Sequence, residues 1–346
     1  MTRLLSTGFE MQDTIGWTVS VSGVTINTSI YRSGAASLGF AESTTTARTA
    51  YYVLPSATAE GYIRFGLYIS GYSPGSYNHS YMAWYKGGTI LGSIRFAYNN
   101  PLRICNSAGT IVATGTTLLL QNIWYLIEIH VKIADSGNYD VKIEGLTEAS
   151  LAYSGDTKPG ADADFDRILF YIASQGAVTN SYSIDDIGLN DTAGGADDSW
   201  CGEGKIIRMY PNDDVTTELT QYPALTDHHA DVDEVPADGD TTYVQGTVVD
   251  EEDLYELTAS GLVAANVDNI SRVWVESRTK DTTATGGTAL LFISSNAVVD
   301  DGPDVTLTTS YDTRVSSGEF LQDPDGPAAW DVAALDALRA GVRTRS

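Results

Sequence analysis

Four groups of residues in this 346-residue chain have types and spacing suited to chemistry. In the stretch ADADFD, Asp162, Asp164 and Asp166 occupy alternate positions. Oxygen ligands at i, i+2 and i+4 can wrap a Ca²⁺ ion, although the glycine and glutamate of an EF-hand loop are missing downstream. The same letters also suit an Asp-rich turn that caps a strand. His228 and His229 sit among Asp227, Asp231, Asp233 and Glu234. Adjacent residues of an extended chain face opposite ways, so one ion cannot readily take both imidazoles, and a solvated acidic loop is the plainer reading. Asp185 and Asp186 are neighbours in YSIDDIGL, where one must turn inward or sit at a rim. Such an Asp is either bonded to backbone or a Ca²⁺ ligand. The fourth group is aromatic: Tyr72, Tyr77, His79, Tyr81, Trp84 and Tyr85 in GYSPGSYNHSYMAWYKGG. Aromatic rings stack on the apolar faces of sugars, and Asn78 and His79 can bond hydroxyls, so the expected glycan contacts are Tyr77, Asn78, His79 and Tyr81. Packing between subunits, or a plain core role, would use the same rings.

Other chemistries lack their residues. There is no P-loop, no GxGxxG on a strand-to-helix turn and no Ser/His/Asp order. Cys105 and Cys201 form no CxxC and no zinc spacing. The expectation is a protein without catalytic residues and without a cofactor, Ca²⁺ being the one ion its acidic spacing would admit.

The elements that must position these groups are strands. In residues 121–145, QNIWYLIEIHVKIADSGNYDVKIEG, Tyr125, Ile127, Ile129, Val131 and Ile133 alternate with Glu128, His130 and Lys132. Tyr139, Val141 and Ile143 then alternate with Asp140, Lys142 and Glu144. A period of two predicts a half-buried hairpin with residues 134–138 as its loop, Gly137 and Asn138 taking positive φ. The expected register sets Ile133 against Tyr139, Val131 against Val141, Ile129 against Ile143 and Lys132 against Asp140. One dry face requires a second sheet to cover it. Further strands are expected at 49–54, 61–70, 81–85, 89–98, 102–106, 110–114, 167–173 and 182–189. About a dozen strands at 8–12-residue spacing predict an all-β sandwich or jelly roll over residues 1–192. Residues 193–203 read as a small, acidic linker. A smaller acidic β-sandwich domain follows over 204–346, with strands at 204–210, 243–247, 253–257, 270–278, 289–294 and 306–311 and a surface excursion at 211–242. Near its end Trp330, Ala334, Leu335 and Leu338 fall at helical spacing, with Asp331 as cap, Gly341 as stop and a closing strand at Val342.

Charge narrows the partners. The net charge is -25, and it is uneven: 11 basic against 16 acidic side chains in residues 1–192, 9 against 29 in the rest. Such a chain repels nucleic acid and anionic membranes and stays soluble. No apolar run approaches a membrane span, and the opening MTRLLSTGFEMQD carries no h-region of a secretory signal. The expectation is assembly in a host cytoplasm and residence in a virus particle, which reconciles an extracellular style of β protein with the missing export signal.

The order of segments resembles the concanavalin A-like lectin/glucanase jelly roll, including laminin-G-like modules. STGFE (6–10), SGAASLGF (33–40), GYIRFGLYIS (61–70), WYLIEIHVKI followed by YDVKIEG, and SIDDIGLN (183–190) carry it. Glucanases of that fold place carboxylates as ExDxxE on one strand. Here the corresponding strand holds Glu128 with His130 and Lys132, so the resemblance brings no catalytic pair, and Glu128 is expected to be a solvated outer-face residue. The layout as a whole, with NDTAGGADDSW (190–200) and DPDGPAAWDVAALDALRAGVR (323–343), resembles structural proteins of tailed viruses. It implies a turret, spike, decoration or fibre component, homo-oligomeric, touching other virion proteins and host surface glycans. The rival readings are a carbohydrate-binding lectin or depolymerase-derived adhesin, and a cellular surface-layer module.

Overall fold

A computed structural model describes residues 3–20, 23–41, 46–71, 80–173, 181–193, 197–224, 227–283, 286–311, 314–326 and 328–345. The chain divides into two compact units, Met1–Ile207 and Arg208–Ser346. Both are built from antiparallel strands, as the alternation required.

The first unit is a jelly-roll sandwich of two sheets. One has nine strands: Leu146–Thr147, Gly137–Ile143, Trp124–Lys132, Glu60–Gly71, Ser181–Asp191, Ser37–Ala41 and Val24–Asn27 in that spatial order, with Arg3–Thr7 on Ser181–Asp191 and Tyr153–Gly155 on Gly137–Ile143. The other has seven: Ile111–Leu118, Pro101–Asn106, Thr89–Arg95, Ser80–Lys86, Phe165–Ile172, Arg48–Thr58 and Trp17–Val19. Their facing sides interlock as one apolar core. Trp84 of the seven-stranded sheet meets Tyr139 of the other with ring centroids 5.1 Å apart. Phe65 and Phe170 meet edge-on at 5.2 Å. All four side chains are fully buried.

The expected hairpin forms with its apolar set inside, but its register is shifted by two. Val131 pairs with Tyr139, Ile129 with Val141, Ile127 with Ile143, and His130 with Asp140. A two-residue shift leaves every side chain on its own face, which is why alternation alone could not fix it. The loop is set by a distant residue. Buried Thr157 donates its hydroxyl to the Lys132 carbonyl and accepts the Ala134 amide at 3.0 Å. Gly137 therefore serves space and not positive φ: a Cβ there would lie 2.0 Å from the Thr157 hydroxyl.

The second unit carries a six-stranded sheet, Pro211–Thr217, Glu252–Leu257, Arg339–Thr344, Thr288–Ser295 and Val298–Asp301 in order, with Val305–Thr306 beside Thr288–Ser295. Two ribbons, Thr220–Tyr222 with Tyr243–Gln245 and Glu276–Arg278 with Arg314–Ser316, accompany it. Several expectations are corrected here. Residues 204–210 form no strand, whereas Pro211–Thr217, read as surface excursion, does. An edge strand exposed on both faces has no apolar set to betray it. Residues 270–278 make bridges at Ile270 with Trp330 and Val273 with Phe320, and a ladder only over Glu276–Arg278. The short helix is Val332–Asp336, capped by Asp331, whose carboxylate accepts the Ala334 amide at 2.8 Å. Gly341 does not stop it. It lies inside Arg339–Thr344, where a Cβ would meet the Phe292 ring at 2.4 Å.

Candidate functional site

The outer face of the seven-stranded sheet gathers side chains of one kind. On Ser80–Lys86, Met82 and Trp84 point into the core. Tyr81, Ala83 and Tyr85 therefore take the outer side. The Tyr81 and Tyr85 side chains hydrogen-bond to each other. The small Ala83 between them in sequence is fully buried. On the adjoining Phe165–Ile172, Ile168, Phe170 and Ile172 are core and Arg167, Leu169 and Tyr171 face out. Tyr171 stacks on Tyr81, centroids 4.5 Å apart at 18°. Tyr51 lies under the Arg167 guanidinium at 5.4 Å. Four half-buried tyrosines so share one platform. Burial above all, then neighbouring phenols, push Tyr81 well above the usual phenol range, so it remains a hydrogen-bond donor.

Beyond Tyr81 the platform turns basic. Tyr81 is paired across the ladder with Arg95, and Arg95 with Arg103. Ser93 and Cys105 form the floor beside them, both buried, and burial pushes the Cys105 thiol up. The seven strands hold five Lys or Arg (Arg48, Lys86, Arg95, Arg103, Arg167) and one acid, Asp166. In a chain of net charge -25 that inversion is local and specific.

Of the four expected glycan contacts, Tyr81 belongs to this platform, while Tyr77, Asn78 and His79 lie outside the described residues. Of the expected Ca²⁺ ligands Asp162, Asp164 and Asp166, the last two are otherwise engaged. Asp164 pairs with Lys86, and Asp166 accepts the Gly87 amide at 3.0 Å and the Arg167 guanidinium at 3.1 Å. Among the described residues no three His, Cys, Asp or Glu converge as a metal would need.

Asp185 and Asp186 are both fully buried and act as a clamp. Asp185 accepts the backbone amides of Arg32, Ser33 and Asp186 at 2.7, 3.3 and 2.7 Å. Asp186, at φ 49°, accepts the Ser33 hydroxyl at 2.6 Å, the Ile206 amide at 2.7 Å and the Arg32 guanidinium at 2.7 Å. Burial first, then the Asp186 charge, push the Asp185 carboxyl up to about 8, against those backbone donors. The segment they hold crosses the outer face of the nine-stranded sheet. Glu128 is consequently no solvated residue: it is 2% exposed and accepts the Gly202 amide at 2.8 Å. Residues 199–206, expected within the linker and the start of the next domain, are thus part of the first unit's fabric. Trp200 lies against Tyr62 and His130, with the Lys142 ammonium 4.3 Å above its ring. Both His130 nitrogens are committed, Nε2 to Glu60 at 2.8 Å and Nδ1 to Asp140 at 3.3 Å and Asn138 at 3.1 Å. This histidine packs between Tyr62 and Trp200 of its own chain.

The two histidines of the second unit are not in a solvated loop. They lie in a short 3₁₀ turn, His228–Asp231, and each takes its own carboxylate: His228 Nδ1 to Asp253 at 2.7 Å, His229 Nδ1 to Asp214 at 3.2 Å. Burial pushes the neighbouring Asp231 carboxyl up. The outward set that sequence reasoning missed is Tyr51, Arg95, Arg103, Arg167 and Tyr171. Its signal was available: TILGSIR, PLRICN and FDRILFYI each set a base on the alternate positions opposite their apolar ones.

No family model and no curated protein matches the chain. Among the solved structures it is similar to are the following, each matched over little more than half of this chain. The cellulose-induced protein Cip1 shares 16% identity at a TM-score of 0.46, covering 58% of this chain and 100% of that one. An endo-β-1,4-glucuronan lyase from the fungus Trichoderma reesei shares 14% at 0.43, covering 55% and 95%. A carbohydrate esterase of the Shiga toxin-encoding bacteriophage phi24B shares 16% at 0.42, covering 55% and 98%.

Proposed function

We propose that the first unit binds a glycan, without turning it over, across the outer face of its seven-stranded sheet. The observation that carries this is the tyrosine platform: Tyr51, Tyr81, Tyr85 and Tyr171 on one flat surface, with Tyr81 and Tyr171 stacked at 4.5 Å. Aromatic faces exclude water from the C–H faces of sugars, and protonated phenols donate to their hydroxyls. The site is a platform for holding. Burial drives the Tyr81 and Tyr85 phenols toward the neutral form. Tyr171→Ala is expected to weaken glycan binding of the full chain by at least tenfold, read on a glycan array and then by titration calorimetry. Undiminished binding by this variant, with a native melting profile, would place the ligand elsewhere and sink the reading.

We further propose that the chain is a structural component of a tailed-virus particle, assembled as a homo-oligomer beside other virion proteins. The segment layout and the phrases at 190–200 and 323–343 support this, as does an acidity that keeps subunits soluble before assembly. Its peptides are expected in purified particles, at a copy number set by a symmetry axis. Particles purified from a producing lysate that lack them, while the chain stays behind in the soluble fraction, would end this assignment.

A further inference from the structure

We infer that the first unit has a second ligand face, on the outer side of its nine-stranded sheet around Trp124, and that this face takes a neutral oligosaccharide. It is independent of the tyrosine platform, which lies on the other sheet. Alternation places the side chains. Leu67 and Ile69 are core, so Tyr68 and Ser70 face out; Ile127 and Ile129 are core, so Trp124 faces out together with Glu128. Gly202 and its neighbours cover the part of this face around Glu128. The part around Trp124 is a cross-strand row: Trp124 pairs with Tyr68, Tyr68 with Ser183, Ser183 with Gly39, and Gly39 with Thr25. At about 4.8 Å per strand the row spans roughly 19 Å. Neither the row nor the adjoining Ser70 and Ser181 carries a charge, in a chain with 45 acidic and 20 basic residues.

Gly39 is the residue that points to a ligand. Glycine inside a strand costs stability, and what keeps it there is a positive φ, a bulge, tight packing or the close approach of another molecule. The first three do not apply. Gly39 is outside the positive-φ set, its pairing is regular on both sides, and a Cβ would make only ordinary contacts, 3.5 Å to the Thr25 carbonyl oxygen and 3.7 Å to Ser183 Oγ. Gly66 of the same sheet is the contrast, because a Cβ there would meet Arg32 Cδ at 2.9 Å. Bare backbone at Gly39 thus keeps the floor of the row low. At the other end stand two half-buried rings, Trp124 and Tyr68, 5.3 Å apart and tilted by 45°. The Tyr68 hydroxyl donates to Asn122 Oδ1 at 3.2 Å, which leaves the exposed Asn122 Nδ2 as an outward donor. Next on the same face the Ser70 and Ser181 hydroxyls bond each other at 2.8 Å. Rings cover the C–H faces of sugars, and amides and hydroxyls meet their OH groups. An uncharged sugar matches this face, whereas an acidic one would lose its water here without gaining a partner.

The test is calorimetry of the full chain with cello-, xylo-, manno-, malto- and chitohexaose and with oligogalacturonate, beside a mass measurement in solution. A neutral hexaose is expected to bind more tightly than oligogalacturonate, with an affinity that added salt leaves unchanged. Trp124→Ala is expected to lose about tenfold of it. Gly39→Val is expected to lose as much while its thermal midpoint stays or rises, since valine suits a strand better than glycine. A glycine kept for packing would give the reverse, a lower midpoint with native binding. Tyr171→Ala should leave this binding in place; where the tyrosine platform takes the same sugar, Trp124→Ala should remove one of two sites per chain. Native binding by both Trp124→Ala and Gly39→Val overturns the inference, and if Tyr171→Ala then abolishes binding, the platform reading stands without it. Tighter binding of oligogalacturonate, lost in Trp124→Ala, overturns the neutral class. A native chain silent to every sugar also overturns it, and an oligomeric mass that falls in Trp124→Ala then makes the row a contact between copies.

Discussion

Asp186→Ala is expected to cost the first unit about 3–5 kcal/mol, the scale for removing one partner of a buried ion pair. Three donors lose their acceptor at once: the Arg32 guanidinium, the Ser33 hydroxyl and the Ile206 amide. Arg32 keeps only the Gly204 carbonyl, at 2.8 Å. The substitution also leaves an alanine at φ 49°, a conformation that Asn and Asp tolerate better. Asp186→Asn should cost less, since it keeps one acceptor oxygen and the backbone preference, but its amide then faces a guanidinium. Guanidinium denaturation followed by tryptophan fluorescence gives the magnitude. Hydrogen exchange should localise the loosening to residues 30–36 and 200–207. An Ala variant within 1 kcal/mol of the native chain (a small fraction of the usual stability of a domain) would mean the clamp holds nothing. A chain cut after residue 192 should behave like this variant, because Trp200, Gly202 and Ile206 leave with it.

Asp253→Ala should be the most damaging single change in the second unit, again by about 3–5 kcal/mol. This carboxylate is fully buried and accepts four hydrogen bonds: the Glu218 and Leu219 amides at 2.8 and 2.9 Å, the Tyr255 hydroxyl at 2.8 Å and His228 Nδ1 at 2.7 Å. It joins the turn after Pro211–Thr217, the neighbouring strand Glu252–Leu257 and the His228–Asp231 turn. Leu254, Leu290 and Phe292 form a buried apolar cluster in the same sheet. Asp253→Asn should fall between, because its oxygen can still serve the two amides, while His228 and Tyr255 must reorient to accept. Hydrogen exchange across residues 208–345 is the measurement. Faster exchange should appear in 211–219 and 228–232, with the first unit unchanged. Uniform protection in the Ala variant would show that the polar knot is dispensable.

Fold class and face assignment were legible because burial in a sandwich depends on side-chain parity alone. The alternation in WYLIEIHVKI and GYIRFGLYIS names the inward set whatever the neighbours are, and the helix near Trp330 announced itself by a change of period. The hairpin's exact pairing was not legible. Parity is blind to a shift of two, and the residue that settled it, Thr157, is 25 positions from Lys132. The site divides the same way. Tyr81 was recognisable from its aromatic surroundings, but Tyr51, Tyr171, Arg95 and Arg103 come from four strands scattered over residues 48–172. Only the strand order makes them neighbours. The roles of Glu128, Asp186 and Asp253 also belong to the tertiary structure. A carboxylate in an outward position reads as solvated until another part of the chain is laid across it. The linear order of residues determined which way each side chain points; the crossing of distant segments decided which charges lie buried and which rings and guanidinium groups meet, because those contacts join parts of the chain that local pattern never compares.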